Sequence, residues 1–346
     1  MEFYKVLEAW YLKNKRDLPW RKSSDPYFVW LSEIILQQTR IQQGLSYYKV
    51  FTEHYPTVQK LAEASEDQVL KDWQGLGYYS RARNLHFSAK YICEELQGVF
   101  PNNYKSLLKL KGVGDYTASA IASICFNERA AVVDGNVYRV LSRYFNIDIP
   151  INTPKGVNYF KTLAQELITN ANPREYNQAL MDFGAMICKP KSPKCEVCPL
   201  TESCLAKAEN RIDALPVKEK KLRVKDKYFN FIIVDDGTST VLEKRTENGI
   251  WKNLYQFPLI ETSKPANLEL LIQNDFFEKS GFLTSELTLY NEEAWVHKLT
   301  HQHLYTQFWI LKIDPRKGLE TVPWNEVERY AVPKLIDKFI EAYKSK

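Results

Sequence analysis

The sequence predicts a helical domain followed by a smaller α/β domain, and three features support this fold class. At 346 residues the chain is too long for one ordinary core and suits two domains. From residue 1 to about 208, apolar residues recur at the three- and four-residue spacings of amphipathic helices. Beyond residue 226 the period changes to two, which is typical of strands.

The segment SDPYFVWLSEIILQQTR shows the helical pattern clearly. Asp25 is placed to cap a helix, and Pro26 suits the first helical position because its missing N–H needs no partner there. Val29, Trp30 and Leu36 share one face. We therefore expect an apolar helix to begin at Pro26.

The charged stretch 211–226 predicts a linker between domains at 1–210 and 227–346. In the second domain, KYFNFIIVDDGTSTVLEKR predicts a strand, an Asp-Asp-Gly turn and a strand, and HQHLYTQFWILKI predicts a further strand. LELLIQNDFF, which lies between them, predicts a helix. The second domain is therefore expected to be α/β.

Charge is unevenly distributed along the chain. Residues 1–225 hold 32 Lys and Arg against 24 Asp and Glu, whereas residues 226–346 hold 15 against 18. The first part is therefore the better candidate to bind a polyanion. No apolar run approaches the roughly 18 residues of a membrane span, and the N-terminus lacks a signal-peptide pattern. We expect a cytoplasmic protein without a membrane partner.

Four of the six cysteines cluster within 17 residues, namely Cys188, Cys195, Cys198 and Cys204. Clustered thiols in a chain without an export signal favour a metal centre over disulfides. Four thiolates can hold zinc or a [4Fe–4S] cluster, and the spacing alone leaves both open. The two isolated cysteines, Cys93 and Cys125, are expected to be buried free thiols.

Residues 107–126, LLKLKGVGDYTASAIASICF, predict a helix, a Gly-Val-Gly turn and a second helix. Gly112 and Gly114 permit a tight hairpin with positive φ and leave the N-terminal amides of the second helix open to a phosphate oxygen. Other αα-hairpins can also use Gly-x-Gly. The pattern is a helix-hairpin-helix, and the motif alone leaves open whether it binds DNA.

Two carboxylates have contrasting predicted surroundings. Asp134 directly precedes a helix, where capping alone would explain it, but the helix dipole also keeps such a carboxylate ionised. Glu33 lies in the apolar helix, either on its solvated side or partly desolvated with a raised pKa. Cleavage of an N-glycosidic bond needs both states, an acid for the leaving base and an anion for the oxocarbenium-like sugar.

Together these segments resemble the helix-hairpin-helix superfamily of DNA glycosylases and, within it, the MutY-type adenine glycosylases. Besides the cysteine loop, the resemblance rests on RDLPWR (16–21), SEIILQQTR (32–40), QGLGYYSRARN (74–84) and YNQALMDFGAMIC (176–188). It covers nearly the whole chain. It implies an all-α, two-lobed glycosylase domain with an iron–sulfur loop at 188–204, followed by an α/β MutT-like (Nudix-like) domain, and it selects [4Fe–4S] over zinc.

The resemblance implies base-excision repair of duplex DNA that contains adenine opposite 8-oxoguanine or guanine, with the adenine flipped out of the helix. Glu33 matches the acid that protonates adenine, and Asp134 matches the carboxylate that stabilises or captures the sugar. DNA is expected to bind across both domains. The other matches are the assisting residues Tyr116 and Asn136, the duplex-wedging residues Gln38 and Tyr78, and the adenine-pocket residues Trp20, Arg21, Leu36 and Gln178.

Tyr116 bears on whether the protein also cleaves the DNA backbone. Relatives that also cut the DNA backbone through a Schiff base have a lysine shortly after the second glycine of the hairpin, and this chain has tyrosine there. The resemblance therefore implies a monofunctional glycosylase.

In the second domain, WKNLYQFP (251–258) resembles a MutT-like segment, and residues 265–285 lack the clustered glutamates of catalytic MutT relatives. The domain is expected to bind 8-oxoguanine without hydrolysing nucleotides. Its lesion-sensing loop, usually Phe-Ser-His, is Leu299-Thr300-His301 here, which leaves the preference for 8-oxoguanine over guanine open. His297 and His303 flank this loop but lack further ligands for zinc.

The sequence disfavours three alternative functions. An endonuclease III-like glycosylase/lyase is disfavoured by Tyr116 and by the second domain. A non-catalytic iron–sulfur DNA-binding protein is disfavoured by the retention of Glu33 and Asp134. A nucleotide pyrophosphatase lacks its metal-binding carboxylates. The resemblance further implies a monomer associated with a bacterial nucleoid.

Overall fold

The computed structural model describes residues 2–219, 224–282, 286–314 and 319–345. The chain forms two compact units, Met1–Glu63 with Asn84–Lys220 and Ala64–Arg83 with Lys221–Lys346. We call them the helical unit and the sheet unit. The segment Ala64–Arg83 belongs with the C-terminal residues, a grouping that chain order alone does not indicate. Across the described ranges, no helix is both long and apolar enough to cross a membrane.

Helices dominate the first two hundred residues, as the apolar periodicity predicts. In chain order the helices of the described residues are α1 Phe3–Asn14, α2 Pro26–Leu36, α3 Ile41–His54, α4 Val58–Glu63, α5 Glu66–Asp72, α6 Ser80–Glu95, α7 Tyr104–Leu107, α8 Asp115–Phe126, α9 Gly135–Tyr144, α10 Pro154–Leu167, α11 Pro173–Met186, α12 Leu205–Ala208, α13 Leu268–Ile272, α14 Asp275–Ser280 and α15 Lys334–Lys344.

Two predicted helix starts are confirmed. Asp25 caps α2 by accepting a 2.8 Å hydrogen bond from the Tyr27 N–H, and Pro26 is the first helical residue. Asp134 caps α9. Because a capping oxygen satisfies N–H groups that the helix leaves without partners, each cap determines where its helix begins.

The sheet unit contains a mixed sheet in the order β6-β8-β1-β2-β9, with β5 also paired to β1 and β7 to β8. The strands are β1 Lys225–Asp235, β2 Ser239–Thr240, β3 Glu243–Lys244, β4 Tyr255–Gln256, β5 Leu259–Thr262, β6 Leu287–Leu289, β7 Trp295–Lys298, β8 Gln302–Lys312 and β9 Val322–Pro323. Strands β1 and β8 are parallel, with Phe231 opposite Phe308, and the other pairings are antiparallel. The strand predicted before the Asp-Asp-Gly turn, the strand predicted within 301–313 and the α/β class are confirmed. The single strand predicted after the turn is instead two short strands, β2 and β3, which lie in different sheets.

Both faces of the central strands are covered. On one face the Phe308 ring stacks on Phe339 of α15 with centroids 4.2 Å apart. On the other, Ile232 and Val234 pack in a cluster with Leu271 and other apolar residues. Because both faces are covered, β1 is continuously buried from Phe229 to Asp235, and exposed residues do not alternate with buried ones there.

Three local predictions need correction. The helix expected at 268–277 is two helices, α13 and α14, because the Asn274 side chain accepts the Phe276 N–H and caps a new start. The first half of the predicted linker is anchored to the helical unit, where Arg143 Nε donates to the Ile212 and Leu215 carbonyls at 2.9 and 3.0 Å. Residues 220–223 of the linker lie outside the described ranges. The isolated thiols of Cys93 and Cys125 are free but only partly buried.

Candidate active site

A cavity of about 170 Å³ in the helical unit brings together residues that lie far apart in the sequence. Its wall includes the Pro19–Arg21 turn and parts of α2, α8, α9 and α11. The predicted site residues on this wall are Trp20, Arg21, Glu33, Leu36, Tyr116, Asp134, Asn136 and Gln178. Both candidate catalytic carboxylates therefore line one space.

Glu33 is buried, with 9% of its surface exposed, so the solvated alternative is wrong. Burial raises the pKa of Glu33 from 4.5 to about 7; a hydrogen bond from Tyr116 and the charge of Arg21 oppose this rise, and the negative charge of Asp134 adds to it. A carboxyl group with this pKa holds its proton in about half of the molecules at neutral pH, which suits a general acid.

Asp134 is held by three hydrogen bonds. Its Oδ1 accepts from the Asn136 and Val137 backbone N–H groups at 2.9 and 2.8 Å, and its Oδ2 accepts from Asn136 Nδ2 at 2.8 Å. Burial raises the pKa of Asp134 above its usual value, and the three hydrogen bonds oppose this rise. That this carboxylate stays ionised remains a prediction.

Tyr116 lies on α8 beside both carboxylates. Its hydroxyl is hydrogen-bonded to Glu33 and lies 3.2 Å from Met181 Sδ. Burial, together with the charges of Glu33 and Asp134, raises the pKa of Tyr116 well above its usual value. The group therefore stays a neutral phenol that can orient the Glu33 carboxyl.

Asp182 anchors Arg21, a residue of the cavity wall, and was missed by the sequence analysis. Its side chain is fully buried and receives two hydrogen bonds from Arg21, at 2.6 and 2.7 Å, and others from Arg16. Although burial alone would raise it, these hydrogen bonds lower the pKa of Asp182. An acidic residue on the apolar face of α11, within YNQALMDFGAMIC, was the signal that could have revealed it.

The hairpin between α7 and α8 contains both predicted glycines. Gly112 has φ +83°, and a Cβ there would lie 2.8 Å from Asn84 Cβ, so both its conformation and its surroundings require glycine. Gly114 is different: its φ of −93° is ordinary extended backbone, and the predicted positive φ is wrong for this residue. It caps α8 without a side-chain hydrogen bond, which leaves the first amides of that helix open.

The two predicted wedge residues share an uncommon backbone conformation. Gln38, just after α2, has φ +56°, and Tyr78, just before α6, has φ +48°. Both side chains are exposed. Left-handed backbone at non-glycine residues is unfavourable and clusters at binding sites, where the surrounding structure maintains it.

The four clustered cysteines follow α11. Arg143 Nη1 lies 3.5 Å from Cys188 Sγ, and the Leu200 N–H donates to the sulfur of Cys198. The Lys207 and Ala206 N–H groups donate to Cys204. Such donors stabilise thiolates, which are the ligands of iron–sulfur clusters, so this set of four sulfurs fits the group implied by the resemblance. Among the residues that the structure describes, no three or more His, Cys, Asp or Glu side chains are placed to hold a single metal ion.

Arg139 links the cysteine loop to the cavity and was also missed. Its Nε donates to the Cys188 carbonyl at 2.6 Å, and its Nη2 donates to the Gly184 carbonyl at 2.6 Å and to Asn136 Oδ1 at 2.8 Å. A Cβ on Gly184 would lie 2.6 Å from Asn136 Cβ, so the two helices can approach only because this residue is glycine. Two arginines four residues apart on the apolar face of α9, Arg139 and Arg143, were the available signal.

The sheet unit has its own cavity, of about 590 Å³. The loop between β7 and β8 lines it with Leu299, Thr300 and His301, and Tyr78 lies on its wall. The Tyr78 and Thr300 hydroxyls are 2.9 Å apart. The structure thus brings a predicted wedge residue to the predicted lesion-sensing loop.

The flanking histidines have other neighbours. His297 lies against the Trp251 ring, with 5.9 Å between centroids, and His303 Nδ1 is 3.5 Å from Asp226. Burial lowers the pKa of His297. Neither arrangement requires a metal.

Comparison with known proteins agrees with these features. Residues 31–162 match the family described as HhH-GPD superfamily base excision DNA repair protein, residues 188–204 match the iron–sulfur binding domain of endonuclease III, and residues 230–342 match the NUDIX domain. A solved structure of a thermostable thymine-DNA glycosylase is similar, with TM-score 0.56 and 31% identity over 60% of this chain and 95% of its own. A non-covalent endonuclease III–DNA complex, at 23% identity, covers 60% of this chain and 94% of its own with TM-score 0.52 and shares the fold.

Full-length relatives identify the family. The adenine DNA glycosylase of Buchnera aphidicola subsp. Baizongia pistaciae is 36% identical over 89% of this chain and 86% of its own length. The corresponding protein of Buchnera aphidicola subsp. Schizaphis graminum is 34% identical over 99% of both chains, and that of Rattus norvegicus is 31% identical over 99% of this chain and 78% of its own. With its helix-hairpin-helix, its [4Fe–4S] loop and its Nudix-like domain, the chain belongs to the MutY family of adenine DNA glycosylases, hydrolases of base-excision repair that act on the N-glycosyl bonds of DNA.

Proposed function

We propose that this glycosylase hydrolyses the N-glycosidic bond of adenine paired with 8-oxoguanine or guanine in duplex DNA. The observation that carries the proposal is the presence of Glu33 and Asp134 on the wall of one cavity, with Glu33 titrating near pH 7. An extruded adenine in this cavity would meet a proton donor, and its sugar would meet a carboxylate.

The reaction begins when Glu33 transfers its proton to a ring nitrogen of the adenine. The electron pair of the bond between C1′ and the base then leaves with the neutral base, and the positive charge that develops on the sugar is stabilised or captured by Asp134. Water finally adds to C1′ and loses a proton. The products are adenine and an abasic site.

Tyr116 and Asn136 act through the two carboxylates. The Tyr116 hydroxyl orients the Glu33 carboxyl group, and Asn136 holds Asp134 Oδ2. The base rests among Trp20, Arg21, Leu36 and Gln178. Gln38 and Tyr78 fill the gap that the extruded base leaves in the duplex.

Recognition of the opposite base is assigned to the sheet unit. Thr300 and His301 are polar groups on a cavity that Tyr78 shares, and Leu299 supplies apolar contact. Gly112, Gly114 and the amides at the start of α8 bind a DNA phosphate. Cys188, Cys195, Cys198 and Cys204 would hold the [4Fe–4S] cluster, which would shape a basic loop that contacts phosphates and would supply no base-excision chemistry.

The decisive experiment is single-turnover adenine release from a duplex with adenine opposite 8-oxoguanine. We expect fast release by the native protein and no release from an adenine–thymine duplex. Glu33→Gln should lower the rate about 10²- to 10⁴-fold, the contribution that a general acid makes. Glu53→Gln, an exposed glutamate on α3, is the matched control. If cluster-loaded native protein releases no adenine, the proposal fails.

The proposed monofunctional chemistry has its own test. Tyr116 occupies the place where a Schiff-base lysine would lie, so borohydride reduction during turnover should trap no covalent protein–DNA complex. A trapped complex that forms at the rate of adenine release would show that the enzyme is instead a glycosylase with lyase activity.

A further inference from the structure

Gln178 lies on α11 in the wall between two cavities. One is the 170 Å³ cavity that contains Glu33 and Asp134; the other, of about 610 Å³, is lined by Tyr11, Lys15, Arg174 and other polar residues. Gln178 lines both, and only 5% of its surface is exposed. An amide in this position can present either its oxygen or its nitrogen to a base in the smaller cavity.

In this structure the Gln178 amide adopts one of these orientations, with its oxygen toward Tyr11. The Tyr11 hydroxyl donates a 2.9 Å hydrogen bond to Gln178 Oε1 across 167 positions of sequence, and both residues are buried. Tyr11 lines only the larger cavity, so the amide oxygen is engaged on that side. Burial raises the pKa of Tyr11, which keeps the phenol a donor. The donor Nε2 group of the amide is therefore left for the smaller cavity.

Tyr11 is itself held in place. Its ring lies beneath the Arg21 guanidinium, with 5.7 Å to the ring centroid, and Arg21 is fixed by its two hydrogen bonds to Asp182. The hydroxyl therefore comes from a side chain that is restrained on both its ring face and its polar end. The restrained hydroxyl holds the amide in place, with Oε1 as its acceptor in this structure.

We infer that Tyr11 is a positioning residue for base selection: it holds Gln178 so that the amide N–H donates to N1 of the extruded adenine. The inference rests on the proposed adenine pocket and adds to it a residue outside that pocket. N1 of adenine is an acceptor, whereas N1 of guanine and hypoxanthine carries a hydrogen; N3 and N7 are acceptors in all three bases and cannot distinguish them. An amide that is free to turn could bind a base with an acceptor at N1 or a base with an N–H there. An amide held with its N–H toward the base can bind only the acceptor.

The test pairs a protein variant with a substrate lacking one acceptor. Single-turnover rates are measured for duplexes with adenine, 1-deazaadenine or 3-deazaadenine opposite 8-oxoguanine, using native protein, Tyr11→Phe and Gln178→Met. Each analogue has its own intrinsic reactivity, so we compare the ratio of the adenine rate to the analogue rate between native protein and each variant. The intrinsic reactivity affects this ratio equally in every protein and therefore does not contribute to the difference.

We expect one analogue to be cut more slowly by the native protein and its penalty to shrink about five- to tenfold in both variants, the size of one hydrogen bond to an uncharged group. Tyr27→Phe is the matched control, because it also removes a buried hydroxyl, one that donates to the Tyr55 carbonyl at 2.6 Å. It should leave the penalty unchanged. A general loss of stability would lower all rates together and leave the ratios unaltered.

An equal penalty in native protein and Tyr11→Phe, or no penalty for either analogue in native protein, overturns the inference while leaving the proposed function intact. Failure of the native protein to release adenine itself would be a failure of the proposed function, and the inference would fall with it. Adenine release by the native protein therefore distinguishes failure of the inference from failure of the proposed function.

Discussion

The Arg139 guanidinium donates to the side-chain oxygen of Asn136 over 2.8 Å. The other end of the Asn136 amide donates to Asp134 Oδ2, also over 2.8 Å. Since Arg139 further binds the Cys188 carbonyl, a continuous line of hydrogen bonds joins the first cysteine of the iron–sulfur loop to the candidate catalytic aspartate. The loop is thus mechanically connected to the site without any residue of the loop entering it.

Replacing Arg139 by lysine should slow base excision while the cluster stays bound. A single ammonium group cannot serve the four separate acceptors that the guanidinium group reaches, so Asn136 loses its anchor. We expect the single-turnover rate to fall about tenfold, equivalent to about 1.4 kcal/mol. The visible absorbance of the cluster should be unchanged. Arg129→Lys, at an exposed position, is the control; a normal rate in Arg139→Lys would contradict the prediction.

Glu33→Gln should make the protein inactive but more stable at alkaline pH. The folded-state pKa of Glu33 is raised from 4.5 to about 7, so the native fold favours the protonated form. The associated stability is fully present below about pH 4.5 and is lost as the pH rises through 7, where the buried group must ionise. Removing it should therefore add up to about 3 kcal/mol to the free energy of unfolding at pH 8 and little at pH 4.

Chemical denaturation of the holoprotein at the two pH values measures this difference. Glu53→Gln should change neither value by more than about 0.5 kcal/mol, as is usual for exposed positions. If Glu33→Gln raised the free energy of unfolding equally at both pH values, ionisation of Glu33 would not be the source of the added stability.

Thr300→Val should weaken discrimination between 8-oxoguanine and guanine opposite the adenine. The lost hydroxyl is the 2.9 Å partner of Tyr78, whose strained backbone needs support from its surroundings. We expect the ratio of single-turnover rates on the two duplexes to fall about fivefold, which is about 1 kcal/mol. The same change is expected in Tyr78→Phe.

The double variant distinguishes a coupled pair from two separate contacts. If the two hydroxyls act together, Thr300→Val in the Tyr78→Phe background should have no further effect on the ratio. Thr288→Val, on the edge strand β6, is the control and should leave the rate ratio unchanged in both the native and the Tyr78→Phe background. Fully additive losses would argue against the hydroxyl pair.

Asp235→Asn should reduce stability at neutral pH more than at pH 2. Hydrogen bonds from Lys312, Tyr343 and Trp324 overcome the effect of burial and lower the pKa of Asp235 to about 2. This stability is present above the unfolded-state pKa near 4 and is lost as the pH falls through about 2. Because Lys312 is 57% exposed, solvent screening should reduce the loss at pH 7 to about 1 kcal/mol.

Thermal unfolding of the full chain between pH 2 and pH 7 tests this pH dependence. Asp275→Asn is the comparison, since its ion pair with Lys279 is exposed and should contribute little. Equal destabilisation by Asp235→Asn at every pH would mean that the charge of Asp235 is not involved.

Local structure was predictable where it depends on neighbouring residues. The caps at Asp25 and Asp134, the strands at 227–235 and 302–312 and the glycine conformation at Gly112 each follow from side chains within a few positions. The prediction of a single helix at 268–277 failed because a capping residue lies inside the apolar run. Asn274 starts a new helix within an apolar run that would otherwise form one helix.

The sequence by itself determined the order of helices and strands, the four-cysteine loop and the motifs that identify the family, because these are encoded in spacing along the chain. Only the tertiary structure decided the burial of Glu33 and Asp134, the ion pairs of Asp182, and the hydrogen bond between Tyr11 and Gln178. Desolvation and hydrogen bonding depend on which groups surround a side chain in space. In this fold those groups come from helices separated by up to 167 residues of sequence.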